Sequence, residues 1–324
     1  MSAFLRKISI LKEIVYPEEW SIAIRERKKA LLFQKDGQEQ PFEVLNNNFR
    51  YWTADPFLFE KEGKSYLFFE MFDRLKGKGG IGVREYNHGH WSPMHMICEK
   101  PFHLSFPFVY ETNGKICLMP EASYDKCVPV LEAIDFPWKW KEVKRILDGE
   151  KVCDSVIYEK EDIQFLFTQP IEIPYTFDKL NLYVQTGNGN WRIHPASPIC
   201  KKNQNGARMA GAIIEMNEDV YRCGQDCQGG YGKGLCFFRI DKIDSHEYHE
   251  TPVCQIFPND LNLLQSGTFT GCHTYNINNH FEVIDLKIEK FSLRNLYFIL
   301  LGKLIRFLHK GYKLCPNTKC LPMT

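Results

Sequence analysis

The chain has 324 residues, of which 44% are hydrophobic, 25% charged and 14% aromatic, with a formal net charge of +1. That balance belongs to a folded globular protein whose many Phe, Tyr and Trp favour β structure. With so little net charge and basic residues scattered through the body, nucleic-acid binding is excluded.

The opening MSAFLRKISILKEIV has neither a long apolar run nor a small-residue cleavage site, so no secretory leader and a cytoplasmic location are expected. Most of the 12 cysteines sit among apolar neighbours, as in Ile116-Cys117-Leu118, and read as small hydrophobes in a reducing compartment. The sharper alternative, a metal site at Cys223, Cys227 and Cys236 or at Cys315 and Cys320, lacks the paired C-x-x-C spacing of a zinc knuckle. No metal and no cofactor are therefore expected.

From Ala54 a degenerate unit of short β-rich runs and Gly or Asn turns recurs, beginning ADPFLFEKEGKSYLFFEMF. Its openings fall at Asp55, Pro107, Asp154, Gly211 and Gly271, spaced 52, 47, 57 and 60 residues apart. A period near fifty with several strands per unit predicts an all-β fold, a five-bladed β-propeller over residues 1–290. The fifth copy is incomplete, and a strand around Glu19–Arg25 is expected to close the ring. Residues 291–324 form a separate tail. Its segment Phe291–Cys315 reads as a helix carrying five Lys or Arg and no acid. Lys303 and Arg306 interrupt its apolar core, so it is too short to span a bilayer. It either caps the propeller or lies on an anionic membrane surface through residues 291–315, peripheral at the inner face of the membrane.

In a propeller the first strand of each blade lines the channel, so polar residues at equivalent repeat positions converge. Asp55 and Asp154 hold one such position, before apolar strands where a carboxylate has no packing role. Glu121, at the end of an apolar strand in LMPEAS, is a third acid. Blade four adds Arg208 and the run CGQDCQGGYGKG with Gln225, Asp226 and Tyr231, while blade five adds His273 in GCHTYN. For each, the plainer alternative is a structural role: a turn former, an ion-pair partner or a hydrogen-bonded core histidine. The glycine-rich run has no phosphate-loop spacing and suits close approach of the backbone to a ligand or a neighbouring blade.

ADPFLFEKEGKSYLFFE, EKPFHLSFPFVYE, MPEAS, DFPWKW, DSVIYE, GQDCQGGYG and GCHTYN, in that order, resemble the N-terminal domain of plant glucosamine inositolphosphorylceramide transferases. The resemblance runs from about Trp52 to Asp285. It implies a five-bladed propeller similar to arabinanase- and xylosidase-type glycosidases, and a part in surface polysaccharide or glycolipid assembly. Those glycosidases use an Asp of blade one as base, an Asp of blade three to orient and tune, and a Glu of blade four as acid. Asp55 and Asp154 match the first two, but Arg208-Met209-Ala210-Gly211 offers no Glu.

The expected site thus has Asp55, Glu121 and Asp154 as catalytic groups, with Arg208, Gln225, Asp226, Tyr231 and His273 binding substrate. The expected ligand is a sugar, nucleotide sugar or glycolipid head group. Two activities remain open: glycosyl transfer or hydrolysis by the chain itself, and non-catalytic binding that presents substrate to a partner glycosyltransferase.

Overall fold

The computed structural model describes residues 14–27, 31–34, 40–185, 187 and 189–313. Five antiparallel sheets form five blades around one axis. The first four blades take their strands in chain order, with innermost strands Tyr51–Lys61, Ser105–Thr112, Val152–Lys160 and Asn205–Met209. The fifth is composite. Its inner strands are Tyr275–Ile277 and Phe281–Glu289, and its outer ones, Glu18–Glu26 and Glu43–Val44, come from the other end of the chain. Glu18 pairs with Glu289 and Glu26 with Phe281, so the two ends of the ring are joined by a full-length ladder.

The blades stick because both faces of most strands are apolar, as sheets covered on each side require. Phe57, Phe106, Phe165, Phe167 and Met209 belong to one core running through blades one to four. A second core, with Phe237 and Tyr275, joins blade four to blade five. A third joins blade five to blade one through Ile22, Val283, Leu67 and Phe69. The ten cysteines among the described residues are all free thiols, most of them buried in these strands.

One backbone device repeats at the hub. Each of the first four innermost strands breaks register next to its second strand, between Ala54 and Phe57, Ser105 and Phe108, Cys153 and Val156, and Asn205 and Arg208. The residue entering each bulge has positive φ: Asp55 at 49°, Phe106 at 45°, Asp154 at 49° and Gly206 at 82°. A left-handed conformation costs a non-glycine residue about 1–2 kcal/mol, and the bulge re-aims the side chain that follows it. Phe106 and Gly206, rather than Pro107 and Gly211, are therefore the equivalents of Asp55. Gly211 lies beyond its strand, where a Cβ would come within 2.1 Å of the Tyr275 carbonyl oxygen, so glycine there lets blades four and five touch.

Ring closure depends on burying the Ile22 face of the N-terminal strand. Ile22→Ala should lower unfolding free energy by about 2–5 kcal/mol, measured by urea denaturation. A change within 0.5 kcal/mol of zero, roughly that of a neutral surface substitution, would show that the closing strand does not hold the ring.

Candidate functional site at the propeller hub

The bulges turn Asp55 and Asp154 inward, and both carboxylates are buried. Asp55 Oδ2 accepts the Phe106 N–H at 3.1 Å and Oδ1 accepts the Thr274 hydroxyl at 2.8 Å. His273 Nε2 lies 3.5 Å from the same Oδ1, and its Nδ1 lies 2.5 Å from Asp285 Oδ2. Asp285 also accepts three backbone N–H groups, from Asp55, His273 and Thr274. The imidazole is sandwiched between two carboxylates. Burial works against its charge, but Asp285 and Asp55 outweigh that and raise the His273 pKa. Burial likewise raises Asp55, with His273 opposing the rise.

Asp154 makes a second knot. The Arg208 Nε and one terminal nitrogen both donate to it, and Gln225 Nε2 donates at 2.9 Å. The other arm of Arg208 donates to the Tyr175 hydroxyl at 2.9 Å. Burial pushes the Asp154 carboxyl up to about 7, against the pull of Arg208. Arg208, expected to bind substrate, has these donors spent on Asp154 and Tyr175.

Glu121 is half-buried and held lightly, accepting the Ser105 hydroxyl at 2.8 Å. Its charge reaches both Asp154 and a carboxyl absent from the sequence reading, Glu70. Glu70 and Glu121 occupy equivalent second-strand positions, opposite Ala54 and Ser105 beside the bulges. Asp226 stands opposite Asn205 in the same way, but its Oδ1 accepts the Gln228 N–H at 2.8 Å and it serves a turn.

Glu70 is a buried acid without a counterion of its own. Burial, followed by the charges of Asp55 and Glu121, raises its pKa well above the ordinary glutamate value. Its Oε1 makes no hydrogen bond and lies 3.4 Å from His103 Nε2. His103 accepts the Gly79 N–H on Nδ1 at 3.0 Å, which places the proton of the neutral ring on Nε2, toward Glu70. Such a site shifts the balance toward the protonated carboxyl relative to a solvated glutamate.

Aromatic side chains roof the hub. Trp20 stacks on His273 at 3.9 Å between centroids, and Tyr231 meets His273 edge-on at 5.2 Å with the Arg208 guanidinium 5.0 Å from its ring centre. A Cβ at Gly232 would come within 2.8 Å of Trp20, so the glycine-rich turn serves contact with blade five rather than with phosphate. Farther out, Trp52 stacks on Phe72 and Phe102 on Tyr124, the last 77% exposed.

Among the described residues, Asp55, His273 and Asp285 form one group whose ligand atoms lie within 4.8 Å of one another. Their oxygens already accept backbone and hydroxyl donors, and both imidazole nitrogens face carboxylates. The trio forms a buried ionic cluster in which His273 Nδ1, 2.5 Å from Asp285 Oδ2, is left without a well-aligned hydrogen bond. Cys315 and Cys320 lie outside the described residues.

Residues 44–283 match the family described as "Glucosamine inositolphosphorylceramide transferase 1, N-terminal". The glucosamine inositolphosphorylceramide transferase 1 of Arabidopsis thaliana is 33% identical over 223 residues, covering 64% of this chain and 28% of that protein. Its counterpart in Oryza sativa subsp. indica is 31% identical over 208 residues, 62% of this chain and 28% of that one. The chain spans little more than a quarter of these relatives. Among solved structures, the catalytic domain of a Coprinopsis cinerea GH62 α-L-arabinofuranosidase has a TM-score of 0.53 at 8% identity, covering 86% of this chain and 99% of that one. A GH62 hydrolase in complex with xylotriose has a TM-score of 0.53 at 10% identity, covering 76% and 95%. At such identities they share the fold.

A group whose folded pKa is raised stabilises the fold at low pH and loses that contribution as pH climbs through the folded value. Glu70→Gln, which mimics the protonated acid, should therefore gain stability relative to the parent as pH rises from about 5 to 8. Thermal unfolding of both proteins across that range is the check. A gap that stays constant or narrows would mean that Glu70 is ionised in the fold.

Proposed function

This chain belongs to the family of glucosamine inositolphosphorylceramide transferase N-terminal domains, and we propose that its channel mouth engages a sugar head group during assembly of a glycolipid or surface glycan. The observation that carries this reading is the gathering of Asp55, Glu70, Glu121, Asp154 and Asp285 at one end of the hub, with the exposed ring of Tyr124 just beyond the strand that ends at Glu121. Carboxyls outnumber the cations there, Arg208 and His273, and Arg208 is already neutralised. The site thus favours a hydroxyl-rich neutral or amino sugar and disfavours a phosphorylated one. The relatives' name carries glucosamine, which agrees with that preference, beside a lipid that bears a phosphoryl group.

Within this reading Glu121, the least committed carboxylate, accepts sugar hydroxyl or ammonium protons. Glu70 holds a proton that it can give to an oxygen departing from a glycosyl carbon, the role left vacant in blade four. Tyr124 and Phe102 offer an apolar face to the sugar ring. A second reading, binding without catalysis to present substrate to a partner glycosyltransferase, draws support from Asp154. Its oxygens are committed to Arg208 and Gln225, so it is not free to act on a substrate.

Saturation-transfer NMR with glucosamine, an uncharged hexose and a hexose phosphate tests the preference. Glucosamine should bind more tightly than the phosphate. Glu121→Gln should weaken it by about tenfold or more, as expected for loss of a charged hydrogen bond worth about 1.5–3 kcal/mol. Tighter binding of the phosphate, or no effect of Glu121→Gln, would refute the acidic-mouth reading.

A further inference from the structure

The helix Arg294–Lys313 packs against the same end of the ring that carries the hub acids. Phe298 is buried and its ring lies 5.1 Å from Phe49, whose ring is also 5.7 Å from Tyr297. The helix comes close to the Leu75 carbonyl oxygen at Gly302, within 3.6 Å of a Cβ built there. Residues 49–52 lead into the strand that bears Asp55, and residues 73–75 follow the strand that bears Glu70. Both therefore lie at the acidic mouth, whereas the Glu62-Gly63 turn lies at the opposite end.

Away from Phe298, the helix turns bulky apolar side chains outward. Leu293, Tyr297, Leu300, Leu304 and Phe307 follow the spacing of one helical stripe, and they are 58%, 51%, 55%, 53% and 74% exposed. Phe49 and Phe291, at 60% and 59%, widen the patch at its base. An apolar surface of this kind on a soluble face marks an interaction site.

Charge selects the partner. From Lys290 to the end, the sequence has seven Lys or Arg, the last being Lys319, and no Asp or Glu. Lys303 and Arg306 are exposed beside the stripe. Among the described residues no helix is long and apolar enough to cross a membrane, so the helix can lie on a bilayer but not span it.

We propose that this helix docks the propeller on an anionic lipid surface with the acidic channel mouth turned toward the bilayer. Apolar side chains enter the acyl boundary while the basic ones meet lipid phosphates. The mouth is then held at the height of lipid head groups. This placement needs no sugar chemistry, so it stands or falls separately from the channel reading.

The test is flotation of the full chain with vesicles of phosphatidylcholine containing 30% phosphatidylglycerol, in roughly 50 mM salt to limit screening. The parent should float with these vesicles, and binding should fall about tenfold or more with phosphatidylcholine alone or in 0.5 M salt. Leu300→Glu with Leu304→Glu should abolish flotation while leaving the thermal midpoint unchanged, because both side chains are more than half exposed. Hydrogen exchange on vesicles should slow in residues 73–77 at the mouth and not in the hairpin at residues 62–63. A parent that stays soluble with anionic vesicles, or a double variant that floats equally well, overturns the proposal. So does self-association through the stripe in sedimentation, or exchange protection at the hairpin instead of the mouth.

Discussion

A carboxylate removed from water at the centre of a ring needs donors, and in this propeller the donors come largely from neighbouring blades. Asp55 of blade one takes an N–H from Phe106 of blade two and a hydroxyl from Thr274 of blade five. Asp285 of blade five returns the connection by accepting the Asp55 N–H. Asp154 of blade three is tied to Arg208 and Gln225 of blade four. The apolar cores hold the blades face to face, and the acids fix how the inner strands meet at the axis. The left-handed residues at the bulges make this possible, because a straight strand would not turn the Asp55 and Asp154 carboxylates toward those donors. The same bulges leave Glu70 and Glu121 beside the hub, where burial and like charge raise the Glu70 pKa.

Much of this was legible in the sequence because propeller repeats are local. The fifty-residue period, the apolar runs and the turn pairs all act within one blade, and the family match over residues 44–283 agrees with the order of the motifs. Asp55, Asp154, Arg208, Gln225, Tyr231 and His273 could be found because each sits near the start of an inner strand or in a conspicuous polar run. Glu70 and Asp285 could not, since FFEMF and VIDLK read as ordinary strand with one acidic residue each. Their signal was present all the same: carrying the Glu121 position across to the second strand of blade one arrives at Glu70. Trp20 was hidden for a different reason, since its place over His273 exists only after the N-terminal strand closes the ring. Arg208 marks a limit of the sequence, which shows a charge but not the partner, here Asp154, that neutralises it.

The two ends of the ring differ in chemistry. One carries the acids, the Trp52–Phe72 and Phe102–Tyr124 stacks and the basic helix, while the other is made of plain hairpins such as Glu62-Gly63. A cavity of about 470 Å³ bordered by Trp52, Phe72, Arg74 and Asn295 lies between the helix and blade one on the acidic end. The proposed site for a hydroxyl-rich head group and the proposed surface for lipid phosphates thus stand side by side, with opposite charge, on one face. That arrangement suits a ligand whose sugar projects from a membrane into the channel mouth.

The most direct measurement of the central claim is a crystal structure of the protein soaked with a glucosamine-containing oligosaccharide. Density at the acidic mouth, with a sugar ring over Tyr124 and polar contacts to Glu121 or Glu70, is the result this account predicts. A saccharide seated only in the outer grooves beside Tyr86 and Phe281, with the mouth empty at saturating ligand, would contradict it.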